Sequence, residues 1–195
     1  VKIADLSPAD QGVVAAAGLM LLLVFGIKAA MFPLYLWLPQ AYANTTAPVA
    51  ALFAIMTKVG LYAIIRIHGT LFGESAGDLA NIHVPWVLWL GLITMIMAAL
   101  GAIASRYLRE QIAYLVLASV ATLLVGIGIN THASMSATIF YLMHSTLIAG
   151  GLFLLAEWIR QGRGQMEDQF TRAFAMPKAI ICLLYTSPSP RDRYI

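Results

Sequence analysis

The chain is 195 residues long, 61% hydrophobic and only 11% charged, with a mean hydropathy of +0.82. A soluble domain carries about 25% charged residues, so this composition excludes a soluble enzyme, a nucleic-acid module and a disulfide scaffold. The net charge of +3 forms no basic face with interleaved aromatics, so nucleic acid is not a partner, and the single cysteine, Cys182, makes no disulfide framework or metal cluster. What remains is an all-α, polytopic transmembrane helix bundle in a lipid bilayer: about five complete spans and a truncated sixth.

A hydrocarbon core about 30 Å thick takes about 20 apolar residues per helix. Lys2 to Asp10 reads as a polar loop, and the first span runs from about Gly12 to Phe32, its apolar character continuing to Pro39. No basic leader precedes it, and the chain starts at Val1, so the sequence is expected to be a piece of a longer protein. Gly26, Pro33 and Pro39 punctuate this first span and predict a helix break. A break at membrane depth is tolerated only against protein or a wet cavity and points to a transporter's ion site, although a plain proline kink is the alternative. The second span runs from Pro48 to about His68. After the linker GESAGDLANIHVP, Trp86 and Trp89 open a third span that ends near Ser105. The fourth runs from about Gln111 to Asn130 and the fifth from about Ser134 to Ile159. A sixth apolar run, Ala173 to Tyr185, is too short to cross.

The connections after spans one, three and five carry Arg106, Arg109, Arg160, Arg163, Arg172 and Lys178, whereas the opposite side has Lys2 with Asp5, Asp10, Glu74 and Asp78. The excess of Lys and Arg marks the first side as cytoplasmic. Residues 1–181 are therefore read as the membrane domain. Residues 182–195 are set apart as a non-native tail, since LLYTSPSPRD resembles translated sequencing adapter.

Two lysines interrupt apolar stretches: Lys28 in FGIKAAMF and Lys58 in FAIMTKVGLY. A lysine at a helix centre costs about 2.5–3.5 kcal/mol on insertion scales, and a buried amine can load and release a proton near neutral pH. Snorkelling or a purely assembling ion pair is the alternative. Lys58, Tyr62 and Arg66 recur every four residues, which predicts a shared stripe giving Lys58 a polar neighbour; Arg66 either supports that stripe or anchors the helix at the interface, and His68 reads as an interface anchor. His144, in mid-span, is either a relay between lysines or a helix-to-helix hydrogen bond. Ser119 and Thr122 either hold water or bond within their own helix. Gly126, Gly128, Gly150 and Gly151 are expected to allow close helix contact, and Glu157 with Arg160 to form a local ion pair. No acid lies in the centre of a complete span, and no nucleophile–base pair, cofactor motif or metal-ligand cluster stands out.

The string FGIKAAMFPLYLWLPQAYANTTAPVAALFAIMTKVGLYAIIR resembles the core signature of the antiporter-like subunits shared by respiratory complex I, membrane hydrogenases and Mrp cation/proton antiporters. RYLREQIAYLVLAS and YLMHSTLIAGGLFLLAEWIRQGRG are similar to the family's basic loop and its histidine-bearing helix. PVAALFAIMTKVG and HSTLIAGGLFLLAE resemble above all the D-type subunits of the proteobacterial-type Mrp (Pha) branch. The resemblance implies an inverted-repeat fold, of which this chain holds the seventh to eleventh helices and the start of the twelfth. It also implies a proton relay of Lys28, Lys58 and His144, with partner carboxylates in missing sequence or another subunit. Tyr42 stands where complex I-like members commonly show histidine, and Ile148 where they place a lysine, which fits the Mrp branch better.

The implied function is a membrane subunit of a multi-subunit Na⁺/H⁺ antiporter in a bacterial inner membrane. Other antiporter subunits, protons and monovalent cations would be its partners, without a cofactor. A proton-pumping subunit of complex I or a hydrogenase is the rival, and a helix bundle that merely organises partners a third reading.

Overall fold

A computed structural model describes Ile3 and residues 7–162; the sixth apolar run and the tail lie outside the described residues. Five helices are long and apolar enough to cross a membrane, and the described residues contain no β-strand. Helix α1 spans Pro8–Lys28. It starts earlier than the polar character of Lys2 to Asp10 suggests, because Ser7 caps it by accepting from the Asp10 N–H and Pro8 occupies the first turn.

The break after α1 is built rather than frayed. Ala30 takes a left-handed conformation (φ 55°), the Phe32–Pro33 peptide is cis, and a 3-10 turn at Leu34–Leu36 leads into α2, Trp37–Ala43. The carbonyls at the end of α1 find partners within the protein. Phe25 accepts from Ala29 N, Gly26 from Met31 N, and Ile27 from both Ala30 N and the Trp37 indole. The freed Phe32 N–H donates to Thr94 Oγ1 at 2.9 Å. An interrupted helix can persist at membrane depth only when its backbone groups are paired in this way. Pro39 takes no part in the break, since it lies in the first turn of α2, where its missing N–H had no intrahelical partner to lose. Gly26 is a regular residue of α1; a side chain there would collide with Met31 as the chain turns back.

The second span joins three pieces: α3 (Ala47–Ala63), a π turn (Ile64–His68) and the short α4 (Gly69–Leu71). Helix α5 covers Val84–Ala104, α6 Leu108–Ile129 and α7 His132–Gly162. Asn130 ends α6 in the left-handed conformation, and its amide donates to Asn81 Oδ1 at one end of the bundle. At the opposite end the Arg109 guanidinium donates to the Thr45 carbonyl, tying the first turn of α6 to the α2–α3 turn.

Helix α6 is the central post, packed on α2, α3, α5 and α7, and it supplies much of both buried clusters. Its contact with α5 depends on missing side chains. A β-carbon on Gly128 would fall 2.7 Å from Leu88 Cα, and one on Gly91 would fall 2.9 Å from Leu124 Cβ. Gly126 faces Thr138 of α7, and Gly150 makes only ordinary contact with Ala51. Among the described residues Gly151 meets nothing within 4 Å, so they give its expected packing role no partner. Gly128→Ala is accordingly expected to lower stability by about 1–3 kcal/mol through overpacking against backbone. Gly151→Ala should raise it by up to about 1 kcal/mol, as alanine is the better helix former. Thermal unfolding in detergent checks both.

The outer faces of the bundle are apolar, with Ile103, Leu147 and Phe140 among the most exposed side chains. Trp86 and Trp89 are exposed near the start of α5, as an interfacial belt requires.

Candidate functional site

Lys58 is on the inward side of α3 and only 2% exposed. Its Nζ donates to Ser119 Oγ of α6 at 2.6 Å, and the Ser119 hydroxyl donates onward to the Val116 carbonyl at 2.7 Å. The hydroxyl's acceptor lone pairs are thereby presented to the ammonium. Thr57, beside Lys58 and fully buried, donates to the Ala54 carbonyl.

Ser119 also lines an open-sided, mainly apolar cavity of about 230 Å³ between α6 and α7, where Leu115, His144 and Ile148 are exposed. Tyr141, His144, Ser145 and Ile148 contribute to the same walls, with Val116, Leu115, Ala149 and Leu152 as the apolar part. A water molecule takes about 30 Å³ in the liquid, so the space admits several, and its polar groups offer them partners. His144 stacks on Phe140 (6.2 Å between centroids) and lies 6.5 Å from the Tyr141 ring. One hydroxyl therefore touches the buried amine and opens on the space that holds the imidazole.

Lys28 is not part of this group. It is exposed at the end of α1, where its Cβ lies against Gly60. Gly60 is two residues beyond Lys58, and at about 100° per residue that places it on the other side of α3. The stripe of Lys58, Tyr62 and Arg66 is not a common face either. Tyr62 is 55% exposed, Arg66 is exposed, and the polar neighbour of Lys58 comes from another helix. A four-residue step drifts by about 40° on a regular helix, and the π turn at Ile64–His68 breaks the register beyond it.

Ser119 and Thr122 both bond to carbonyls of their own helix, but only Ser119 faces inward; Thr122 is exposed. Glu157 and Arg160 form the expected local pair at 2.6 Å. His68 is no interface anchor: it is 1% exposed and bonded to α1. Sequence reasoning missed His83 and Thr94. The first was hidden in a linker, and the second had no motif to mark it as the partner of a helix break. Among the described residues no group of three or more His, Cys, Asp or Glu could hold a metal ion.

The fold and site together define a polytopic, all-helical membrane protein with one interrupted helix, a buried lysine on the next and a cavity lined in part by a histidine. A family model described as "NADH:quinone oxidoreductase/Mrp antiporter, TM" matches residues 2–186, and the chain belongs to that family. It is 40% identical over 167 residues to the D-type subunit of a probable K(+)/H(+) antiporter of Rhizobium meliloti, covering 86% of this chain and 31% of the relative. It is also 40% identical over 148 residues to the D-type subunit of the Na(+)/H(+) antiporter of Bacillus subtilis, covering 75% and 29%. A solved structure of the Mrp complex from Dietzia sp. superposes with a TM-score of 0.68 at 30% identity, over 76% of this chain and 28% of that one. The chain thus spans about a third of the length of the curated relatives it matches.

Proposed function

We propose that this chain is part of a membrane subunit of a multi-subunit antiporter exchanging a cytoplasmic monovalent cation, Na⁺ or K⁺, for external protons. Its membrane would be the bacterial inner membrane, and its partners the other subunits of the complex. Lys58, Ser119, the cavity and His144 form one proton-transfer unit. The Lys58 amine takes a proton to become the ammonium, which Ser119 accepts as a hydrogen-bond donor. Cavity water then carries the proton between Lys58 and His144. Inward movement of a proton down the membrane potential supplies about 2.3 kcal/mol per 100 mV.

The observation that carries this reading is the Ser119 hydroxyl, 2.6 Å from Lys58 Nζ and exposed to the cavity that His144 lines. Lys28, at the helix break, exchanges its proton with a counter-charge supplied by sequence outside this chain or by another subunit. Ile148 lines the same cavity. An apolar side chain there, in place of the lysine of complex I-like members, favours the antiporter over a redox-driven pump. The test is Lys58→Ala or Lys28→Ala in the complete complex, assayed by cation-induced pH change in inverted vesicles. Each is expected to abolish most exchange; unaltered exchange in both, at normal assembly, rejects the relay.

A further inference from the structure

A second pair of ionisable groups lies away from the Lys58 site, near the end of the bundle marked by the Asn81–Asn130 bond. His68, in the π turn, is 1% exposed, and its Nε2 lies 3.0 Å from the Gly18 carbonyl of α1. A carbonyl only accepts, so Nε2 carries the hydrogen and the neutral ring leaves a bare lone pair on Nδ1. That Nδ1 is buried without a partner among the described residues. His83, at the N-cap of α5, is 6% exposed, and its Nδ1 is likewise buried and unpartnered. The two rings are 5.0 Å apart and tilted by 50°. Phe25 meets His68 edge-on and Phe72 stacks on it.

We propose that His68 and His83 form a binding site for one proton drawn from the extracytoplasmic phase. This rests on the antiporter reading and on the orientation set by the arginine-bearing connections. A proton taken up at the His68 Nδ1 lone pair turns that orphan acceptor into a donor, and a water bridging it to the His83 Nδ1 gives both buried nitrogens a partner. A second proton would place two imidazolium charges side by side in an apolar setting, so the pair holds one. No other ionisable side chain among those the structure describes is bonded to them. Gly18 and Phe25 come from α1, Arg66 on the π turn is exposed, Asp78 on the following 3-10 segment is exposed, and the first turn of α5 is uncharged. Glu74 is on that same 3-10 segment. Since the pair joins α1, the π turn and α5, occupancy by a proton tightens that junction and sets how exchange responds to external pH. π turns are frequent at such functional points.

The test uses the full multi-subunit complex in vesicles with the external face outward, reading exchange rate against external pH. His68→Gln keeps an N–H for the Gly18 carbonyl but cannot titrate; His83→Gln removes the other half. Each is expected to shift the half-activating external proton concentration upward by about tenfold, one pH unit towards acid. His132→Gln, at the exposed start of α7, should leave the profile in place. Assembled variants whose profiles coincide with the wild type, or a uniform fall in rate without a shift, would overturn the proposal. Failure of both variants to assemble overturns it too, by making the pair structural. Absence of cation-coupled proton movement in the wild-type complex would instead sink the antiporter reading itself.

Discussion

Ser119→Ala in the complete complex is expected to slow cation-coupled proton exchange by about 10- to 100-fold, with assembly near normal. The mutation removes the side-chain acceptor of an amine that is 2% exposed and 2.6 Å away. A hydrogen bond to a charged group contributes about 1.5–3 kcal/mol, and about 1.4 kcal/mol is a factor of ten. The loss therefore falls on the charged state of Lys58, through which each turnover passes in the proposed relay. Thr122→Ala is the control. Its hydroxyl bonds to the Ala118 carbonyl on the exposed side of α6 and should leave exchange unchanged. Ser119→Thr, which restores a hydroxyl, should recover most of the rate. Initial rates of cation-induced pH change in inverted vesicles measure all three. An unimpaired Ser119→Ala complex would show that the hydroxyl merely solvates a structural lysine.

Ala149→Leu is the second large effect, expected to reduce exchange about tenfold or more while Lys58 keeps its partner. Ala149 is buried and lines the α6–α7 cavity, so replacing its methyl with an isobutyl group removes space that water would occupy. A proton cannot cross such a gap without a continuous chain of hydrogen bonds. The added carbons also overpack the α6–α7 contact, at about 1–3 kcal/mol. A thermal unfolding control in detergent separates that cost from the transport defect. His144→Gln should reproduce the transport loss with no packing penalty, because His144 is an exposed wall of the same cavity. Normal exchange in both variants would mean that protons reach Lys58 by another route.

The residues of the proposed relay were visible as chemistry out of place. Lys28 and Lys58 stand out because an amine is costly in an apolar run, and His144 because a lone imidazole in mid-span is uncommon. Their grouping was not visible. Helical spacing pointed Lys58 at Tyr62, whereas the partner is Ser119, 61 residues away in the chain. Spacing along one helix reports which residues share a face, but not which neighbouring helix that face meets. The helix break shows the same division. Pro33 and Pro39 looked equivalent in sequence, yet only the first stands at the interruption, because a proline's effect depends on whether its N–H was needed.

The amino-acid order by itself determined an all-α membrane bundle, its five crossings and the two lysines that do not belong in lipid. Length and hydropathy suffice for this because the bilayer forces every backbone group into helical bonds and penalises each charge locally. Tertiary structure alone decided that Lys58 faces α6 and that Lys28 stays on the other side of α3. It also decided that a cavity separates Ser119 from His144, and that His68 and His83 meet. Those relations depend on how helices rotate and pack, through contacts such as Gly128 on Leu88 and Gly60 on Lys28, between residues far apart in the chain.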